Sequence, residues 1–100
     1  MPASQDLALD TPLRASKAAV ASAIPGETVI LDPPSGRYFG LDGVGARVWE
    51  LLQGPTNLAR MIAAITAEYE VDADTCERDL RRLLADLQAK GLAIAGDAAA

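Results

Sequence analysis

The chain has 100 residues, of which 50% are hydrophobic and 23% charged, and its formal net charge is −5. This length fits a single domain, and this share of hydrophobic residues excludes a fully disordered chain. The negative charge argues against a partner that is bound mainly through its phosphates, such as nucleic acid. No apolar run approaches the roughly 18 residues that span a bilayer, so no membrane segment is predicted.

Residues 1–15 are predicted to form a flexible arm, because their prolines and scattered Ala, Ser and Asp residues follow no sustained period. Asp6 and Asp10 stand where a secretory signal would carry a basic region and an apolar stretch, so no signal peptide is predicted. The single cysteine, Cys76, cannot form an internal disulfide. A cytoplasmic location is therefore expected.

Three strands separated by two turns are predicted next, over residues 17–24, 28–31 and 37–41. Pro25–Gly26 interrupts the apolar pattern between the first two strands. Asp32–Gly36 combines two prolines with a glycine that accepts positive φ, which is typical of a hairpin tip. In the third strand, Phe39 and Leu41 alternate with Tyr38 and Gly40, so the two pairs lie on opposite faces.

Three helices are predicted to follow, because apolar residues then recur at helical spacing. The predicted N-terminal caps are Asp42 for the first helix, Thr56 or Asn57 for the second, and Asp72 or Asp74 for the third. The first helix ends before Gly54–Pro55 and contains Trp49, which is predicted to lie in the core. The third ends at Lys90–Gly91.

This order of elements predicts an α+β fold with a three-stranded antiparallel sheet followed by three helices. The same parts make up a winged helix-turn-helix. The predicted domain covers residues 16–95, and residues 96–100 are predicted to form a disordered tail.

The sequence contains no histidine and one cysteine, so neither a histidine-dependent nucleophile nor a zinc site with N and S ligands can be assembled. Gly40, Gly43 and Gly45 do not follow the spacing of a phosphate-binding loop. No catalytic residue, metal site or cofactor is predicted.

Arg78, Arg81 and Arg82 form a small basic group on the third helix, for which three interpretations stay open. The arginines can pair with acidic residues of the same helix, as Glu77–Arg81, Asp79–Arg82 and Asp86–Lys90 would. They can also form the rim of a peptide-binding site. A winged-helix protein would use such a helix to contact a DNA groove.

Two segments carry a resemblance to a known family: Ser-Gly-Arg-Tyr-Phe-Gly-Leu-Asp at residues 35–42 and Val-Gly-Ala-Arg-Val-Trp-Glu-Leu-Leu at residues 44–52. They resemble the PqqD-like peptide chaperones, the recognition elements of ribosomally synthesised and post-translationally modified peptides (RiPPs). The patterns S-G-x-Y-x-x-L and V-G-x-x-x-W-x-L-L are similar to those of the stand-alone leader-binding proteins of lasso-peptide biosynthesis. The similarity covers residues 17–94, and Asp42 departs from it where asparagine is frequent.

The resemblance implies a protein without enzymatic activity that binds the leader segment of a precursor peptide as an added strand. Its implied partners are that leader, a leader peptidase and an ATP-dependent macrolactam synthetase, with neither nucleic acid nor membrane. A dimer formed through the sheet edge is a further expectation. The implied peptide-binding residues are Arg37, Tyr38, Phe39, Gly40, Leu41, Cys76, Asp79, Leu80, Arg82 and Leu83. The main alternative hypothesis is a winged-helix transcriptional regulator that binds DNA, and a third is a non-catalytic subunit whose sheet edge docks directly on an enzyme.

Overall fold

The structure, a computed structural model, describes residues 7–96, which form five strands and three helices. In chain order these are β1 (Leu13–Ala15), β2 (Val20–Ile24), β3 (Glu27–Asp32), β4 (Arg37–Asp42), α1 (Val44–Leu51), α2 (Leu58–Glu68), α3 (Ala73–Ala89) and β5 (Ala93–Ala95). The predicted α+β fold, with a three-stranded antiparallel sheet followed by three helices, is confirmed. No helix within the described residues is long and apolar enough to cross a membrane.

The main sheet has the strand order β2-β3-β4, and both pairs are antiparallel. Both predicted turns contain a glycine in the left-handed conformation, Gly26 with φ +79° and Gly36 with φ +70°, and the positive φ at Gly36 is as predicted. The hairpin tip closes where the Gly36 N–H donates to the Asp32 carbonyl at 2.8 Å. Strand β2 begins at Val20 and not at residue 17, because the Ala19 N–H turns back to the Ser16 carbonyl at 3.3 Å.

The sheet has one buried and one exposed face, set by the alternation along β3. Thr28 and Ile30 are buried, whereas Val29 between them is exposed. The three helices pack below the buried face, and Trp49 (4% exposed) lies in the core as predicted. The other large core side chains, all nearly inaccessible, are Leu13, Val48, Leu52, Leu58, Met61, Ile65, Leu80, Leu84, Leu87 and Leu92.

Two of the predicted helix caps are confirmed and one is wrong. The Asn57 side chain accepts from the Arg60 N–H at 2.8 Å, and the Asp72 side chain accepts from the Thr75 N–H at 3.0 Å. Asp42, however, is the last residue of β4, and Gly43 occupies the cap of α1 with φ of 55° and no side-chain bond. The chain passes directly from strand to helix there, which needs a positive φ that glycine adopts at little cost.

A flexible arm does not describe residues 7–15, since this segment packs on the domain. Strand β1 pairs with β5, and Leu7 and Leu13 are both buried. The Leu7 carbonyl accepts from Arg81 Nη1 at 2.6 Å, and the Leu9 carbonyl accepts from the Ala59 N–H at 3.0 Å. These partners are distant in sequence, so local periodicity does not reveal them. Residues 1–6 and 97–100, the rest of the predicted arm and tail, lie outside the described residues.

Candidate functional site

Strand β4 is an edge strand of the main sheet. Within residues 7–96 it pairs with β3 on one side only, and its other side faces helix α3 across a cleft. Such an edge exposes backbone donors and acceptors that can hold an additional extended chain. The candidate site is therefore the open edge of β4 together with this cleft.

The register of the hairpin shows which backbone groups of β4 point outward. Glu27 and Asp42 are register partners. The adjacent pair along the strands, Gly26 and Gly43, is hydrogen-bonded, because the Gly43 N–H donates to the Gly26 carbonyl at 3.2 Å. In an antiparallel pair, hydrogen-bonded and non-hydrogen-bonded positions alternate. Phe39 and Leu41 therefore bond to β3, and the residues whose N–H and C=O groups face the open edge are Tyr38, Gly40 and Asp42.

The cleft beside this edge has a volume of about 530 Å³ and a mainly apolar lining. Helix α3 contributes residues one turn apart on a single face, which is the spacing that brings side chains together. Val71 and Tyr69 close the cleft from the loop between α2 and α3. The complete lining is Gly40, Leu41, Asp42, Val44, Gly45, Ile65, Tyr69, Val71, Cys76, Asp79, Leu80 and Leu83.

Two acidic residues, Asp42 and Asp79, belong to this lining, and neither makes an ion pair within the described part of the chain. Burial raises the pKa of the Cys76 thiol, and the negative charges of Asp79 and Asp72 raise it further. Cys76 is therefore a protonated, apolar wall of the cleft at neutral pH rather than a nucleophile.

Toward the hairpin tip, β4 and the end of α3 are joined by an aromatic contact. Lys90 Nζ lies 5.4 Å from the centroid of the half-buried Phe39 ring, which allows a cation–π interaction. The same ammonium is 2.6 Å from Asp86 Oδ2. Phe39 thus fixes β4 against α3 and does not line the cleft.

Six of the ten predicted binding residues line the cleft: Gly40, Leu41, Cys76, Asp79, Leu80 and Leu83. The other four, Arg37, Tyr38, Phe39 and Arg82, do not. Tyr38 is 70% exposed and lies on the outer face of the sheet. The backbone N–H and C=O groups of Tyr38 nevertheless face the open edge of β4.

The sequence reasoning missed six lining residues: Asp42, Val44, Gly45, Ile65, Tyr69 and Val71. One available signal was the helical spacing of Ile65 and Tyr69 at the end of the α2 stripe, which places them on one side of that helix. No pattern in the sequence indicated that Gly45 lies close to Leu41. A Cβ atom at Gly45 would lie 3.4 Å from Leu41 Cδ2.

The basic group on α3 is only partly neutralised by its own helix. Arg81 pairs with Glu77 at 2.8 Å and Lys90 pairs with Asp86, as the spacing predicted. No ion pair links Asp79 with Arg82 in residues 7–96. Asp79 therefore faces the cleft with its charge uncompensated.

Comparison with known protein families identifies the family to which this chain belongs. Residues 27–93 match the family described as coenzyme PQQ synthesis protein D (PqqD). The chain belongs to the PqqD family. The match runs from the start of β3 to the start of β5, so it includes the open edge, the cleft and all three helices. A search of curated protein sequences gave no significant match.

Two solved structures are similar to this PqqD-family chain. The first, TbiB1 in complex with the TbiA(beta) leader peptide, is 45% identical, with a TM-score of 0.77 over 80% of this chain and 93% of that chain. The second, lasso peptide synthetase B1 complexed with the leader peptide, is 28% identical, with a TM-score of 0.69 over 82% of this chain and 96% of that chain. The resemblance to lasso-peptide leader-binding proteins that the motifs predicted is confirmed.

Proposed function

We propose that this PqqD-family protein binds the leader segment of a ribosomally made precursor peptide, in the biosynthesis of a lasso peptide or a related RiPP. The observation that carries the proposal is the outward backbone of Tyr38, Gly40 and Asp42 beside an apolar cleft on α3. An extended peptide can bond to this edge while its alternate side chains enter the cleft. Both similar structures contain a leader peptide, which supports this assignment.

The predicted binding residues divide into two groups by what each can contribute. The outward backbone groups of Tyr38 and Gly40 can hold a peptide of any sequence, whereas side chains on α3 select among sequences. Leu80 and Leu83 offer apolar contact, and Asp79 offers a charge at the rim. Arg82, which is exposed and has no ion-pair partner in the described chain, is proposed to contact the peptide beyond the cleft.

The protein is proposed to act without chemistry of its own, in the cytoplasm, where precursor peptides are made. The domain would present the bound precursor to a leader peptidase and an ATP-dependent macrolactam synthetase. Holding the leader on this protein raises the local concentration of the precursor near the enzymes. Dimerisation through the sheet edge would compete with the leader, because both need the same backbone groups.

A titration followed by NMR tests the proposal directly. The ¹⁵N-labelled chain is titrated with a synthetic peptide that corresponds to the leader of the short open reading frame nearest its gene. Amide shifts concentrated along β4 and on the cleft face of α3 are expected. Shifts confined to other surfaces, or no binding at millimolar peptide, would contradict strand addition at this edge.

A DNA-binding control separates the alternative hypothesis. A regulator would bind duplex DNA with an affinity that falls steeply as salt rises. We expect no retention on DNA at 50 mM salt, because the chain carries a net charge of −5. Tight, salt-sensitive retention would instead favour a transcriptional regulator.

A further inference from the structure

Strand β2 forms a second open edge of the main sheet, on the side opposite β4. Within residues 7–96 it pairs only with β3, and all five of its residues are exposed. Helix α1 packs against β3 and β4, whereas the one described element that β2 packs against substantially is β3. The outer side of β2 is therefore accessible to a further strand.

This edge lacks the features that usually keep an exposed strand from pairing. Natural edge strands are protected by charged side chains, prolines or bulges. The β2 sequence, Val-Ala-Ser-Ala-Ile, contains neither a charged residue nor a proline. Its register with β3 is continuous from Val20 to Ile24, so no bulge interrupts the strand. A neutral edge also adds no repulsion between copies of a chain whose net charge is −5.

The hydrogen bonds of the sheet determine which backbone groups of β2 face outward. In β3, Thr28 and Ile30 bond to β4, so the residue between them bonds to its β2 partner, Ser22. Bonding positions alternate along an antiparallel strand. The N–H and C=O groups of Ala21 and Ala23 therefore face the open side of β2.

The β2 strand is self-complementary about Ser22. When two copies pair antiparallel with Ser22 at the centre, Ala21 of each copy lies opposite Ala23 of the other. These are the residues whose backbone groups face outward, and each such pair exchanges two hydrogen bonds, so the two pairs form four. A centre at either alanine would join a single pair of outward residues within the strand. The register about Ser22 therefore satisfies the edge best.

The same register brings the exposed apolar side chains of β2 together. Val20 (57% exposed) and Ile24 (55% exposed) lie on the outer face of the sheet, as Val29 does. Val20 of one copy would lie opposite Ile24 of the other at a non-hydrogen-bonded position, where side chains come closest. Cross-strand contacts between such side chains stabilise a sheet.

We infer that the protein forms a symmetric dimer in which the β2 strands of two copies pair antiparallel about Ser22. The two three-stranded sheets then become one sheet of six strands. A second copy is the partner that fits, because the strand itself supplies the complementary sequence and register. The inference goes beyond peptide binding. Unlike a dimer through β4, it leaves both β4 edges free for a leader.

The size of the seam predicts a weak dimer. A strand of five residues is about 17 Å long, so one strand pair buries less than the roughly 1,200 Å² of a stable interface. The dimer should therefore have a Kd above about 1 µM. Sedimentation velocity of the full chain from about 10 µM to about 1 mM covers this range, and the average mass should rise from 10.4 kDa toward twice that value.

One substitution on each edge shows which edge the dimer uses. Ala21→Pro removes two of the four hydrogen bonds and should raise the Kd of the dimer at least about fivefold. Gly40→Pro is the matched control, because it places the same residue at an outward position of β4 and should leave the dimer unchanged. Thermal unfolding of both variants reports whether the fold is kept.

A cysteine at the centre of the seam tests the register without perturbing the strand. Non-hydrogen-bonded partners have Cα atoms about 4.5 Å apart, which a disulfide can bridge. Ser22→Cys should therefore form covalent dimers at least about tenfold faster than Ser35→Cys, an exposed control at the hairpin tip, under copper-catalysed air oxidation. The native Cys76 is buried and does not interfere.

Three results would overturn the inference and leave the proposed function intact. The first is a chain that stays monomeric at about 1 mM, which the predicted affinity excludes. The second is a dimer that Ala21→Pro weakens no more than Gly40→Pro does. The third is equal cross-linking of Ser22→Cys and Ser35→Cys, which would show that the β2 strands do not meet at Ser22.

Discussion

Replacing Gly40 with proline isolates the contribution of one outward backbone donor. The Gly40 N–H faces the open edge and makes no bond to β3, so proline removes a group that only a bound peptide would use. Proline is tolerated on edge strands at positions whose N–H faces solvent. Gly40→Ala is the matched control, since a Cβ atom at this position meets nothing within 4 Å.

The expected loss of affinity follows from one hydrogen bond and one obstruction. A net hydrogen-bond contribution of about 0.5–1.5 kcal/mol corresponds to a loss of about two- to twelvefold. The proline ring also occupies the space that the partner carbonyl of the peptide needs, so the ladder is interrupted at its centre. We therefore expect at least a tenfold weaker Kd for Gly40→Pro and a change of less than about threefold for Gly40→Ala.

Isothermal titration of both variants with the leader peptide measures this difference, and thermal unfolding reports whether the fold is kept. A domain of this size shifts its Tm by about 4–8 °C for each 1 kcal/mol, so a small shift shows that β4 is intact. If Gly40→Pro stays folded and binds the leader as tightly as Gly40→Ala, the peptide does not bond to this edge, and the assignment of outward groups on β4 is refuted.

Three further outcomes are expected. Leu84→Ala, which empties a fully buried position on α3, should lower the free energy of unfolding by about 2–5 kcal/mol in urea denaturation, and a loss under 1 kcal/mol would show that α3 is not packed as described. The hydrogen bond from the Thr75 N–H is the main cause that lowers the pKa of Asp72, so the ionised Asp72 carboxylate stabilises the fold fully above about pH 4 and loses this effect as the pH falls through its lowered folded pKa. Thermal melts between pH 2 and pH 6 should therefore show a weaker acid dependence for Asp72→Asn than for the wild type. Identical profiles would argue against the cap. Gly45→Ala should raise the free energy of unfolding by about 0.5 kcal/mol, because alanine favours the helix and its Cβ atom would meet Leu41 at an ordinary contact distance of 3.4 Å; a loss of stability in urea denaturation would show that α1 and β4 are packed differently at this point.

The hairpin and the helices were predictable because their signals are local. Pro25–Gly26 and Asp32–Gly36 specify turns by their backbone preferences alone, and Asn57 and Asp72 cap helices that begin within three residues of them. The predicted Asp42 cap is wrong because pairing with another strand, and not a local preference, decides the conformation of Asp42. The residue types suggested a cap, but the pairing of Asp42 with Glu27 extends the strand up to Gly43.

The remaining features depend on contacts between distant parts of the chain. Strand β1 has three residues and gains its partner 80 positions later in β5, so no local pattern separates it from a loop. The lining of the cleft likewise combines Gly45, Tyr69 and Leu83 from three elements. The strand and the α3 face were assigned from the sequence because their spacing is regular, and together they supply the six predicted residues that line the cleft.

Amide hydrogen exchange along β4 tests strand addition most directly. In the free protein, the amides of Tyr38, Gly40 and Asp42 should exchange rapidly, whereas those of Phe39 and Leu41 should be protected by β3. At saturating leader peptide, the three outward amides should slow by at least an order of magnitude, and the two inward amides should change little. Rapid exchange of all three outward amides in a saturated complex would show that the leader binds without joining the sheet.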